Sequence, residues 1–216
     1  GGTMAYLIER GAEVWGLTVT DDRFSSDTRG GQELIFLRRG EALAAMETLG
    51  VKNAGFLGFS DKTGASIEEV AAAILPIIRA LQPDAVFSVD PGLCDECHSD
   101  HIKVGTAVKY CVMDAGIRYY PERADGKPHE DAYALKVYGQ YYTDRPNAVV
   151  DIEDYREKKY AAIQCHATQC STELLMALEM QSAFLAEGTE YDYVERLRLL
   201  GPLHLHCFVL PVEDQL

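Results

Sequence analysis

Apolar residues along this chain follow two spacings, short continuous runs and helical repeats, separated by glycine-ended or polar loops. Met4 to Gly11 has the pattern of a short amphipathic helix closed by a glycine, and Glu13 to Thr20 is an apolar, β-branched strand. The polar stretch Asp21 to Gly31 is a loop long enough to border a site. Leu34, Leu37, Ala42, Ala45, Met46 and Leu49 repeat at helical spacing, so the pattern predicts a helix over Gln32–Leu49 that stops at Gly50. A second strand follows at Asn53–Phe59. Ser66 with Glu69 three residues on forms a capping box for a helix running to Leu81, and Pro76 inside it predicts a kink. The third strand begins at Val86 and ends in Asp90-Pro91-Gly92, with a helix from Ile102 to about Ala115 beyond it, capped by Ser99 or Asp100.

The second half is less regular. Residues 118–131 form an irregular excursion, followed by strands at Ala132–Tyr142 and Ala148–Ile152. Three helices are expected after them, at Tyr155–Cys165 capped by Asp154, at Glu173–Glu187 and at Tyr191–Leu200, before a short apolar end at His204–Leu210. The β-α-β-α-β-α order predicts an α/β fold whose simplest arrangement is a parallel sheet with right-handed crossovers. A helix already under way at Thr3 implies a further strand ahead of it, which is not in this sequence.

Composition narrows the function classes. The 216 residues fit one ordinary domain with a sizeable core. A net charge of −14 argues against nucleic acid and against anionic membrane surfaces as partners. No apolar run approaches the roughly 20 residues of a spanning helix, and the chain is expected to be cytoplasmic. Six cysteines in a chain of this length are no disulfide framework, and Cys111, Cys165 and Cys207 lie in apolar segments suited to small buried thiols. The sequence leaves room for a homo-oligomer.

The chemistry concentrates after the third strand. His98-x-x-His101 sits just past the carboxyl end of that strand, where open α/β sheets place their ligand crevice. Two histidines three apart on one turn face the same way, so one metal or one reacting group can be touched by both. Asp100 between them is acceptor-only when ionised and is suited to holding an imidazole N–H. Cys94-x-x-Cys97-His98 also matches a haem-attachment motif and half a zinc knuckle, but a structural zinc site needs further paired ligands. Asp21, Asp22 and Asp61 follow the ends of the other two strands and can converge on the same crevice. His166 at a helix end has an ordinary structural role with the helix dipole, and His204 and His206 would alternate onto one face of a strand.

Several segments together resemble one family. Gly1-Gly2-Thr3 through Thr20-Asp21-Asp22, Arg38-Arg39-Gly40-Glu41 with Leu49-Gly50-Val51, Leu57-Gly58-Phe59-Ser60-Asp61, His98-Ser99-Asp100-His101, and Val150-Asp151-Ile152 with Lys158-Lys159 to His166-Ala167-Thr168-Gln169 are similar to the PIG-L/LmbE-type N-acetylglucosaminyl deacetylases. Ser99 stands where the family's His-Pro-Asp-His motif has proline, and the family's Ala-His-Pro-Asp-Asp-Glu motif is absent; its pattern places that motif ahead of Gly1. The resemblance implies a Rossmann-like three-layer α/β/α domain over residues 1–216, with a mostly parallel sheet, incomplete at its N-terminus. It implies a Zn2+ cofactor held partly by the absent motif and by His101, with His98 and its neighbour Asp100 as catalytic residues. It places Arg38 or Arg39 and Asp61 on the sugar of a small N-acetylated amino-sugar substrate.

The expected reaction is hydrolysis of an acetamide to acetate and a free amine. With one of its three expected ligands, the chain as written is expected to lack useful zinc affinity and activity. The alternatives are an amidase of a sugar-thiol conjugate and a metal-free, non-catalytic sugar-binding domain. A nucleotide-binding domain is disfavoured, because no Gly-x-Gly-x-x-Gly follows a strand.

Overall fold

The fold is described from a computed structural model covering residues 1–24, 26 and 28–206. The described residues form six α-helices and six strands, grouped into two compact units. The first unit comprises Gly1–Thr63 and Val149–Glu195, and the second Gly64–Ala148 with the chain from Arg196 onward.

In the first unit, α1 (Gly2–Glu9) leads to β1 (Trp15–Thr20), α2 (Gly31–Leu49) and β2 (Lys52–Phe59). β1 and β2 pair in parallel, with Trp15 opposite Lys52 and Thr18 opposite Phe56. Gly50 ends α2 in the left-handed region at φ 84°, where a side chain would be strained. The returning chain contributes α5 (Arg156–Gln164) and α6 (Thr172–Ala186). Ala5, Ala45, Leu49, Val51 and Ala162 form one buried cluster, so α1, α2 and α5 share a core built largely of small side chains. Asp154 does not cap α5. It lies in a 3₁₀ turn, Glu153–Tyr155, and the helix starts from Tyr155 with no side-chain cap.

In the second unit, α3 (Ile67–Leu81) begins in the expected capping box, the Glu69 N–H donating to Ser66 Oγ and the Ser66 N–H to Glu69 Oε2. It packs on α4 (Ser99–Asp114) through Val70, Ala71, Ile74 and Ile78 against Ala107, Val108, Cys111 and Val112. β3 (Ala85–Val89) pairs in parallel with β4 (Val137–Tyr141). Gly105 brings α4 onto β3: a methyl group there would meet the Val89 carbonyl oxygen at 2.8 Å. The C-terminal half of β6 (Val194–Leu200) pairs antiparallel with β4, placing Leu200 opposite Tyr138. The fold is α/β as expected. Its sheets are partly parallel: β1 with β2 and β3 with β4 pair in parallel, and β4 with β6 antiparallel.

Three further expectations are corrected. The helix predicted over Tyr191–Leu200 is strand β6. Val194, Leu197 and Leu200 are its buried residues, and their spacing of three imitates a helix turn. Pairing with β4 overrode that local signal. Another is the N-terminus of α4, which starts at Ser99 with His98 as its N-cap residue, so Ser99 and Asp100 lie in its first turn instead of capping it. The expected end strand is a 3₁₀ turn at Pro202–Leu205, in which His204 Nδ1 accepts the Gly201 N–H (3.1 Å); Cys207 and the residues after it lie outside the described residues.

Candidate active site

The second unit carries the two histidines. The segment from Pro91 to Cys97 joins β3 to α4 through backbone turns, Leu93 N–H to Asp90 O and Glu96 N–H to Leu93 O. Asp90 is 2% exposed and anchors this segment: its Oδ1 accepts the Gly92 N–H (2.9 Å), and its Oδ2 accepts the Thr143 hydroxyl (2.7 Å). His98 is exposed and His101 half-buried, and their rings stack with centroids 4.3 Å apart and planes 20° from parallel. The carboxylate on His101 Nδ1 belongs to Glu96, at 2.8 Å. Glu96 was not singled out from the sequence. Asp100, suited by its spacing to hold an imidazole, is buried at 3% exposure in the first turn of α4.

The other Glu96 oxygen accepts the His98 N–H at 2.7 Å. The bond from His101, followed by that from the His98 N–H, holds the Glu96 carboxyl below the usual carboxylate range. Cys94 and Cys97 beside it are exposed free thiols. Cys111 is buried on α4, where desolvation pushes its thiol up to about 12. Among the described residues, no three His, Cys, Asp or Glu side chains gather closely enough to hold a metal ion. His101 on its own is presented as a metal ligand is: a carboxylate takes Nδ1 and leaves Nε2 as the second nitrogen.

The first unit gathers a second set around the loops after β1 and β2. Asp61, 9% exposed, receives the Asp22 N–H on Oδ1 (3.0 Å) and the Phe24 N–H on Oδ2 (3.3 Å), while its own N–H donates to Asp21 Oδ1 (3.3 Å). This mutual bonding ties the two loops together. Burial is the largest single influence on the Asp21 carboxyl and acts upward, but the Arg23 side chain together with the Asp61 and Arg23 backbone N–H groups outweighs it, and the net shift is down. Asp22 shifts the other way, raised by burial and then by the Asp61 charge, with Arg38 and His166 opposing. Its φ of 57° lies in the left-handed region that Asp and Asn tolerate best among non-glycine residues.

Arg38 is 5% exposed on α2, with Nη1 3.8 Å from Glu41 Oε2. Glu41 in turn accepts the Thr168 N–H and hydroxyl, each at 2.7 Å. Arg39 is exposed, its guanidinium 5.0 Å from the Phe56 ring centroid. Arg38 and Asp61 thus join one electrostatic cluster around Asp22, and Arg39 points elsewhere. His166 belongs to this cluster through its effect on Asp22, so its place is more than a helix end. No local pattern near His166 announces this, because its neighbours are more than a hundred residues away in sequence.

The charge on Asp22 has a testable consequence. Its folded pKa is raised above the ordinary 3.8, so the stability this group contributes is full below that value and is lost as pH rises through the folded pKa. Ionised Asp22 therefore costs stability at neutral pH. Asp22→Asn keeps the left-handed backbone and removes the charge. The variant is expected to show a higher urea midpoint than the parent at pH 7, with the difference vanishing near pH 3.5. A lower midpoint at pH 7 would contradict this sign.

With the geometry in place, comparison with known proteins identifies the family. Residues 1–112 match PIG-L, described as GlcNAc-PI de-N-acetylase. The chain is 31% identical over 213 residues to diacetylchitobiose deacetylase of Thermococcus kodakarensis, covering 95% of this chain and 79% of that protein. The chain belongs to the PIG-L family. It is also 27% identical over 219 residues to 1D-myo-inositol 2-acetamido-2-deoxy-alpha-D-glucopyranoside deacetylase of a Mycobacterium species, covering 79% of this chain and 69% of that protein. Among solved structures, N,N'-diacetylchitobiose deacetylase from Pyrococcus horikoshii superposes with a TM-score of 0.85 at 29% identity, over 95% of this chain and 79% of that one. No helix among the described residues is long and apolar enough to cross a membrane.

Proposed function

We propose that this PIG-L family member hydrolyses the acetamide of an N-acetylglucosamine-type substrate to acetate and a free amino sugar. The observation that carries the reading is the similarity to diacetylchitobiose deacetylase over 95% of the chain, beside a family match over residues 1–112 that spans His98 and His101. In this reading His98 handles the proton, Asp100, buried in the first turn of α4, is its neighbouring catalytic carboxylate, and His101 is a zinc ligand. Arg38, with Asp61, contacts the sugar; Arg39, exposed over Phe56, is the weaker candidate for that contact. Free thiols among the described residues support a reducing, cytoplasmic setting.

His101 fits the donor chemistry of zinc, and the described residues do not by themselves complete a site. When bound, zinc supplies a water of lowered pKa and polarises a carbonyl. This chain's own part is proton transfer and orientation. Water adds to the acetamide carbon, the C–N bond breaks, and the departing amine must gain a proton. An exposed imidazole such as His98 can deliver it. Arg38 and Asp61 offer a donor and an acceptor suited to sugar hydroxyls.

The test uses protein expressed from its complete coding sequence, with and without added zinc, and N,N'-diacetylchitobiose as substrate. Acetate release that depends on zinc is the expected result. Release of a larger acyl group from a sugar-thiol conjugate, without acetate from the chitobiose, would replace the reading with an amidase. Saturable sugar binding without any hydrolysis would replace it with a binding domain.

A further inference from the structure

Glu96 makes both of its oxygens count. It sits in the connection from β3 to α4 with its side chain 16% exposed, and its own N–H is tied back to Leu93 O at 3.2 Å. Oε1 accepts the N–H of His98, the N-cap residue of α4, whose own side chain makes no capping bond. Oε2 meets His101 Nδ1. One carboxylate therefore holds the backbone of the first histidine and the ring of the second.

The chemistry of that contact selects a tautomer. An ionised carboxylate only accepts hydrogen bonds, so Nδ1 of His101 must be the donor. In the neutral ring the basic lone pair is then left on Nε2. The His98 ring lies against the His101 ring at 4.3 Å, so the orientation imposed on one plane is passed to the other.

We propose that Glu96 is the positioning residue of this site, holding His101 as the Nδ1–H tautomer and setting the pair of stacked rings at the start of α4. The inference rests on the reading of His98 and His101 as the reactive pair. It does not depend on which acyl group is removed. Glu96 acts through the histidines and is not assigned a contact with substrate.

Glu96→Gln is the informative variant, because it keeps shape and one acceptor while a side-chain N–H can now face Nδ1. The measurement is two-bond 1H–15N correlation on histidine-labelled, metal-free protein, at a pH where both imidazoles are neutral. The parent is expected to show His101 mainly as Nδ1–H, and the variant to shift toward Nε2–H. Unchanged tautomer populations in the variant, or a parent already in the Nε2–H form, would overturn the proposal. In protein expressed from its complete coding sequence, zinc affinity should fall about 10–100-fold in the variant with its far-UV spectrum and melting unchanged. Glu96→Asp, which keeps the charge and shortens the reach, should restore part of that loss. A shifted tautomer in a protein that never releases acetate would uphold the positioning role and sink the deacetylase reading. Acetate release and tautomer both indifferent to Glu96→Gln would do the reverse.

Discussion

His98→Ala is expected to lower kcat for acetate release by about 10²–10⁴-fold, the usual contribution of a positioned proton donor, with KM little changed. The size follows from the role. If His98 protonates the departing amine, its removal leaves solvent to do so, and the loss appears in the chemical step. Its exposure makes the experiment clean. His98 is on the surface of the segment before α4, its backbone N–H is held by Glu96 whatever its side chain, and the ring packs only against His101 among the contacts described. Stability should therefore move by no more than about 0.5 kcal/mol, as for ordinary surface substitutions. Steady-state kinetics beside a thermal melt would check both halves. A loss below tenfold would remove His98 from the proton-transfer role, and a matching loss of stability would recast it as a structural residue.

The largest effect on folding should come from Arg79. This side chain is 2% exposed on α3, and its guanidinium donates to four carbonyls: Ala115 (3.3 Å), Asp114 (2.8 Å), Ile117 (3.0 Å) and Tyr120 (2.7 Å). These oxygens lie at and just beyond the C-terminus of α4, where helix carbonyls have no intrahelical partner and a cation is favoured by the dipole. Arg79→Met preserves the apolar stem and removes four charge-assisted hydrogen bonds, although the Asp114, Ala115 and Ile117 carbonyls keep a backbone N–H each, from Ile117, Tyr133 and Tyr120. A loss of about 1.5–3 kcal/mol is expected, the range for hydrogen bonds to a charged group. Urea denaturation monitored by circular dichroism gives the number. Arg79→Lys should recover only part of it, because one ammonium does not span the fork that four carbonyls demand. A loss under about 1 kcal/mol would mean that water replaces the guanidinium at those carbonyls.

Much of the fold was legible because its signals are local. The Ser66/Glu69 capping box, the Gly50 helix stop and the continuous apolar runs at β1 and β3 each depend on residues within one or two turns, and each element lies where its pattern predicted. β6 was not legible. Its buried residues repeat every third position, and only the ladder to β4 distinguishes that from a helix face. The start of α4 was displaced for a related reason. Ser99 and Asp100 are the better capping types, but the chain is already helical at Ser99, with the Ile102 N–H donating to His98 O at 3.2 Å.

The site divides along the same line. The sequence by itself determined the chemistry on offer: two histidines past the end of a strand, with aspartates after the other strands and an arginine on the crossover helix. Helix spacing places His98 and His101 on one turn, and the strand ends place Asp21, Asp22 and Asp61 on neighbouring loops of their own unit, because strand ends and helix periods are short-range geometry. Only the tertiary structure decided which carboxylate meets which imidazole. Glu96 reaches His101 because the chain between Asp90 and Ser99 turns back on itself through its own backbone bonds. Asp22, Arg38 and His166 share one electrostatic environment because α2, the loop after β1 and the segment after α5 belong to the same compact unit. Those partnerships depend on distances set by packing, and no local pattern of residues encodes them.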